Sequence, residues 1–384
     1  MPTPRPFRVE VPQAALDAIL AKVRSYEWHE MPRGPGLDGS WAYGANLDFM
    51  RELCAYWVEQ YDWRRWEQAL NSFPQFVAAI EGIDIHYYLE QGSGSAPRPL
   101  ILSHGWPGSV FEFLHLIEPL AHPERFGGDI GDAFTVVVPS LPGYGFSGKP
   151  ERPISPRTVA RLFDSLMREA IGLPGYIAQG GDWGSAISGW LGYEGKACRA
   201  VHLNMMGWTS PGVRPETDAE IKHAEQARQL FDAEGAYFRE QSTKPQTLSY
   251  AMMDSPVGAC AWIVEKFHGW SDIRRGFANA YTKDQLLTNV MIYLVTRSFN
   301  TATWLYRGLF EDQSGTPVPP GARVEKPVAI AAFPVDLIPF PPRSQAQKSL
   351  NIVRWTEFPE GGHFAALERP QDMIGDIRAF ARAL

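Results

Sequence analysis

The feature that most limits how this chain can fold is a repeated alternation, between residues 99 and 206, of short apolar runs with helix-length segments. PLILS (99–103), FTVVVPS (134–140), YIAQ (176–179) and AVHLNMM (200–206) are short and largely apolar or β-branched, the pattern of strands buried on both faces in a parallel sheet. Between them, VFEFLHLIEPL (110–120), PRTVARLFDSLMREAIG (156–172) and SAISGWLGYE (185–194) have the length of helices. Repeated βα alternation predicts an α/β fold, a doubly wound sheet with helices on both faces.

The flanks differ from this unit. Residues 11–27 and 45–70 read as helices, with Leu47, Met50, Leu53 and Trp57 at helical spacing, and FVAAI (76–80), Glu-Gly and IDIHYYLE (83–90) read as a hairpin. After Gly207 the rhythm changes: residues 214–310 are mainly helical in pattern and rich in aromatic residues. PVAIAAF (327–333) and NIVRWTEF (351–358) resume the strands, and PQDMIGDIRAFARAL closes with a helix. The expected organisation is an N-terminal extension with the first hairpin strands (1–90), a first core segment (91–207), an inserted helical cap (208–325) and a second core segment (326–384).

Composition excludes several function classes. The formal charge of -7, from 43 acidic and 36 basic residues without long runs, leaves no basic footprint, so no nucleic-acid partner is expected. Cys54, Cys198 and Cys260 are too few and unpatterned for a disulfide framework or a thiolate metal site, and they fit a reducing compartment. MPTPRPFRVEVPQAALDAIL has no basic segment leading into a long apolar run, so no secretory signal or membrane anchor is expected and the cytoplasm is the expected location. Thirteen tryptophans suit an enclosed apolar pocket.

Gly180, Gly181, Asp182, Trp183 and Gly184 fit G-x-Nu-x-G with an aspartate in the nucleophile's place. By itself this pentapeptide admits two readings: a nucleophile on a strained strand-to-helix turn, or an acidic N-cap on the following helix. In SHGWPGS, the loop His104, Gly105, Trp106 and Pro107 follows a predicted strand, and it could aim the Trp106 backbone N–H at an oxyanion, with the Trp183 N–H as second donor. The alternative is a tight Gly/Pro turn with a structural histidine. His363, in PEGGHFAALERP, lies beyond the last predicted strand, where a catalytic base would fall. Asp336, in AIAAFPVDLIP, reads as the end of a strand and could orient that imidazole, with Glu357 and Glu360 as rivals. The order 182, 336, 363 is nucleophile, acid, base, as in α/β-hydrolases.

HGWPGS (104–109), LPGYGFSGKP (141–150), GGDWG (180–184), STKPQT and DSPVGACAWIVEKF (242–267) and GGHFAALERP (361–370) together resemble the microsomal-type epoxide hydrolases and their soluble bacterial relatives. The resemblance spans nearly the whole chain, including the N-terminal extension. It implies an α/β-hydrolase fold with Asp182 as nucleophile, His363 as water-activating base, and Asp336 as orienting acid where the family often has glutamate. It further implies that Tyr237 and Tyr306 bind and protonate the epoxide oxygen. On the residues alone either tyrosine reads as packing rather than chemistry, since Tyr250, Tyr281 and Tyr293 share the cap. The implied reaction opens a hydrophobic epoxide to a vicinal diol through an Asp182 ester, with water as the second reactant and no cofactor or metal. A homodimer is the expected assembly. Two other readings stand beside it: a haloalkane dehalogenase using the same aspartate, and a non-catalytic small-molecule binding protein on the scaffold. The family acts on aryl, aliphatic or terpenoid-like epoxides, a choice that pocket shape makes rather than spacing.

Overall fold

In the computed structural model, which describes residues 3–37, 39–206, 213–311, 319 and 321–384, the apolar runs become the middle of one nine-stranded sheet. In chain order the elements are β1 (Arg5–Phe7), α1 (Gln13–Arg24), α2 (Leu47–Glu59), α3 (Trp63–Leu70), β2 (Gln75–Ile80), β3 (Ile83–Glu90), β4 (Arg98–Ser103), α4 (Leu114–Ala121), β5 (Phe134–Pro139), α5 (Pro156–Ser165), β6 (Tyr176–Gly180), α6 (Asp182–Glu194) and β7 (Cys198–Leu203). Seven helices come next: α7 (Asp218–Glu234), α8 (Ala236–Thr243), α9 (Pro245–Asp254), α10 (Pro256–Trp270), α11 (Phe277–Ala280), α12 (Lys283–Val295) and α13 (Phe299–Glu311). The chain ends with β8 (Val324–Ala332), α14 (Arg343–Gln347), β9 (Leu350–Glu357), α15 (Ala365–Glu368) and α16 (Pro370–Arg382). Gly207, the expected boundary between the first core segment and the cap, lies outside the described residues.

The strand order is β1-β2-β3-β5-β4-β6-β7-β8-β9. β1 to β3 run as an antiparallel meander, β3 pairs antiparallel with β5, and every pair from β5 to β9 is parallel. Burial follows topology: β5 and β6 are buried at every residue, as parallel strands covered by helices on both faces require.

Two expectations need correction, and one strand is added. The helix expected over 185–194 begins at Asp182, because Gly184 is a helical residue: a Cβ there would collide with the Ser103 carbonyl, so glycine serves close packing of helix on strand rather than a turn. The segment 156–172 is not one regular helix, since α5 passes into a π turn over Leu166–Ile171 that stops at left-handed Gly172. β1 is an addition, because three residues containing a proline carry too little pattern to predict a strand; it adds an edge to β2 through Arg5↔Val77 and Phe7↔Gln75.

Candidate active site

β4 lies between β5 and β6, so the chain leaves β4 toward one side of the sheet and later returns to its other side. Loops at the carboxyl ends of such strands diverge and leave a crevice. The loops after β4 and β6 meet there, with Ser103 paired to Gly180. A Cβ at Gly105 would overlap the Asp182 carboxylate; its absence lets the Trp106 N–H donate to Asp182 Oδ1 at 2.7 Å. Asp182 has φ 47°, a left-handed conformation that costs a non-glycine residue about 1–3 kcal/mol. The N-cap of α6 is Gly181, without a side-chain cap, so the capping reading of Asp182 does not hold. Its carboxylate instead accepts from the Trp183 and Trp106 N–H groups.

His104 supports this loop. The Leu141 N–H donates to its Nε2 at 3.2 Å, which leaves the proton on Nδ1 to donate to the Gly105 carbonyl at 3.0 Å. Burial pushes the ring down to about 4, so it stays neutral. The Trp106–Pro107 peptide is cis, and α12 braces the next two carbonyls: Asn289 Nδ2 donates to that of Pro107 and the Tyr293 hydroxyl to that of Gly108, each at 2.7 Å.

Asp336 and His363 come together from the loops that follow β8 and β9. β8 ends at Ala332, so Asp336 sits in the loop beyond the strand rather than at its end, an offset that brings its short side chain to the imidazole. His363 Nδ1 lies 2.8 Å from Asp336 Oδ1, which turns Nε2 toward Asp182 Oδ2 at 3.6 Å. The His363 N–H donates to the Trp270 carbonyl at 3.0 Å, tying this loop to α10. Burial disfavours the charged ring, yet the Asp336, Asp182 and Glu112 carboxylates raise it to about 9. Burial likewise pushes Asp182 up, against the pull of His363 and the two N–H groups. The rival acids are engaged elsewhere: Glu360 pairs with Arg275 and Arg369, and Glu357 accepts from the Trp355 indole.

Asp182, Tyr237 and Tyr306 line one cavity of about 410 Å³, walled by Ala186, Met205, Phe231, Phe238, Leu309 and Ile338 among others. The two tyrosine rings meet edge to face at 5.9 Å, and Tyr237 stacks on Trp106 at 5.1 Å. Burial raises both phenols well above their ordinary value. The buried Tyr306 hydroxyl lies toward Tyr237 and the Trp183 side chain but makes no well-formed hydrogen bond among the described residues. The other cap tyrosines are accounted for: Tyr281 bonds Ser271, Tyr293 bonds Gly108, and Tyr250 is 76% exposed.

A second, much smaller void of about 10 Å³ lies behind Asp182, with His363, Asn204 and Glu112 among the side chains around it. Among the described residues Asp182 is the one common to both linings. Sequence reading did not single out Glu112; its signal was a lone acid inside the apolar run VFEFL. Lys266 was also missed: it is 7% exposed, with Nζ 4.9 Å from the Tyr237 ring centroid, where an ammonium favours donation by that phenol.

Fold and site together define an α/β-hydrolase with a carboxylate at the elbow. Residues 98–250 match the family described as alpha/beta hydrolase fold, and residues 4–113 match the one described as epoxide hydrolase N terminus. Epoxide hydrolase 1 of Oryctolagus cuniculus is 31% identical over 98% of this chain and 88% of its own length. The structure of Aspergillus niger epoxide hydrolase is 34% identical and superposes with a TM-score of 0.86 over 99% of this chain and 96% of that one. That of juvenile hormone epoxide hydrolase from Bombyx mori is 28% identical, with a TM-score of 0.85 over 100% and 95%. The chain belongs to the epoxide hydrolase family. Among the described residues no helix is long and apolar enough to cross a membrane.

Proposed function

We propose that this protein hydrolyses an uncharged, hydrophobic epoxide to a vicinal diol, with Asp182 as nucleophile, Tyr237 and Tyr306 as acids, and His363 with Asp336 as base. The observation that carries this reading is the shared cavity: one carboxylate and two protonated phenols face an otherwise apolar space. Epoxide opening needs an anion at carbon and a proton donor at oxygen, and an sp3 carbon calls for a carboxylate rather than a serine.

In the first step an Asp182 oxygen attacks an epoxide carbon, the ring C–O bond breaks, and a tyrosine proton goes to the leaving oxygen. The phenols suit this role because their O–H groups bind oxygen more strongly as its charge grows. The product is a β-hydroxyalkyl ester. In the second step water attacks the ester carbonyl while His363 Nε2 takes a proton, and Asp336 steadies the imidazolium through Nδ1. The Trp106 and Trp183 N–H groups, already bonded to this carboxylate, hold the oxyanion. The three cysteines are buried and free, which supports a reducing, cytoplasmic setting.

A single turnover in ¹⁸O-water tests the covalent route. The label is expected in Asp182 and not in the first diol released; a labelled first diol with unlabelled Asp182 would rule the ester out. Tyr237→Phe and Tyr306→Phe are each expected to slow ester formation by roughly 10²-fold. Ring opening at the native rate in both variants would return these tyrosines to packing.

A further inference from the structure

The two cavity phenols differ in the charge around them. Tyr306 is surrounded by uncharged aromatic side chains: its ring meets Trp183 edge to face at 4.7 Å, Phe238 at 5.3 Å and Trp106 at 5.9 Å. Tyr237 stacks on Trp106 and packs against Trp270, and it also has a cation over its ring. That cation is the ammonium of Lys266, a buried residue of α10, 4.9 Å from the Tyr237 centroid and 5.7 Å from that of Trp270. Glu265 holds it in place, with Oε2 2.5 Å from Nζ. An ammonium in so dry a position has lost most of its hydration, so it acts strongly on any charge that develops beside it.

We propose that Lys266 is a positioning residue for ring opening, one that makes Tyr237 the phenol that gives up its proton while Tyr306 binds the epoxide oxygen without ionising. The inference rests on the reading of Asp182 as nucleophile and of the two tyrosines as the groups at the epoxide oxygen. In the balanced step an Asp182 oxygen bonds to the epoxide carbon, the electron pair of the ring C–O bond goes to oxygen, and that oxygen takes the Tyr237 proton. The negative charge of the carboxylate disappears into a neutral ester and reappears on the Tyr237 oxygen. Ring opening therefore moves one negative charge across the cavity, and each end of the move has a basic side chain beside it: His363 at 3.6 Å from Asp182, and Lys266 over Tyr237. The proton returns after water attack has regenerated Asp182 as an acid, which then ionises.

The same cation serves the two states of the phenol unequally. Over a neutral ring it meets only a quadrupole, whereas over a phenolate it meets a full charge, so its effect grows toward the transition state and speeds the step. Before reaction, burial and the Asp182 charge hold the Tyr237 proton in place, and Glu265 acts in the same direction. The Asp182 contribution ends once the ester forms, and the Tyr306 hydroxyl, which lies toward Tyr237, favours the phenolate.

Transient kinetics on the full chain with styrene oxide as the probe separate the two steps, using tryptophan fluorescence for ester formation and quenched-flow mass for its loss. Lys266→Met keeps the bulk of the stem without the charge, and it is expected to slow ester formation roughly 10- to 100-fold with ester hydrolysis within about threefold of wild type. Lys266→Gln takes its place if the methionine variant does not fold. Lys266→Arg, which keeps a cation, is expected to form the ester within about fivefold of wild type. The loss caused by removing the charge is expected to vanish in a Tyr237→Phe background and to persist in a Tyr306→Phe background. Native ester formation in the uncharged variant, equal slowing of both steps, an arginine variant as slow as the uncharged one, or the same loss in both phenylalanine backgrounds would each overturn the assignment. Absence of any Asp182 adduct in quenched wild-type enzyme would instead defeat the underlying reading.

Discussion

Asp182 and His363 hold one another's charge at 3.6 Å, and the consequences can be measured away from catalysis. The His363 ring is raised from 6.5 to about 9 when the chain folds, so the folded state binds a proton more tightly than the unfolded one. That contribution is complete below about pH 6.5, and it is lost as pH rises through about 9. Melting temperature should therefore fall across this window, and Asp336→Asn should flatten the fall. A second test concerns strain. Asparagine tolerates left-handed backbone better than most residues and needs no counterion in a buried site. Asp182→Asn is expected to lose roughly 10³-fold or more in turnover while melting no lower than wild type; marked destabilisation would show that the ion pair outweighs the strain. At this scale the sequence was legible where chemistry leaves local marks: glycines flank Asp182, and His363 and Asp336 occur in the hydrolase order. Glu112 was not legible, because an isolated acid on an apolar helix reads as a solvent-facing position until the fold turns it inward.

Helices and strands carry their own tests, and glycine separates the cases. In α6, Gly184 touches the Ser103 carbonyl at the point where β4 and β6 pair, so Gly184→Ala must force the elbow away from the loop. A loss of about 1–3 kcal/mol is expected from chemical denaturation. In α16, Gly375 has nothing within 4 Å of its missing Cβ, and Gly375→Ala is expected to stabilise by about 0.5–1 kcal/mol through the unfolded chain. If both substitutions moved stability alike, close packing would not explain the elbow's glycines. The central strands were readable because parallel strands covered on both faces must be apolar throughout. The exact start of α6 was not, since GGDWG looks like a turn in one dimension and reveals helix-on-strand contact only in three.

Over the whole molecule, the N-terminal extension reaches the site through α12. Tyr56 on α2 bonds Asp284 at 2.9 Å, and Tyr61 bonds Thr288 at 3.1 Å. Next to Thr288 comes Asn289, and a little over a turn later Tyr293; they hold the carbonyls of Pro107 and Gly108, next to the Trp106 N–H. Asn289→Ala leaves buried groups unpaired and is expected to cost about 1–3 kcal/mol in stability and to slow both half-reactions, as rapid-quench kinetics would detect. Slowing of one step alone would place the effect elsewhere than in the shared oxyanion loop. These long-range links lay beyond sequence reading because α12 meets α2, α3 and the loop through side chains separated by as many as 231 positions. The partition of the site has a further consequence. Among the described residues the larger cavity and the small void behind Asp182 share only Asp182, so substitutions at Met205, Leu309 or Ile338 can reshape the substrate's berth without touching the side chains around the void. A lineage carrying this arrangement can change its diet of epoxides one wall residue at a time while the machinery that frees the product is inherited intact.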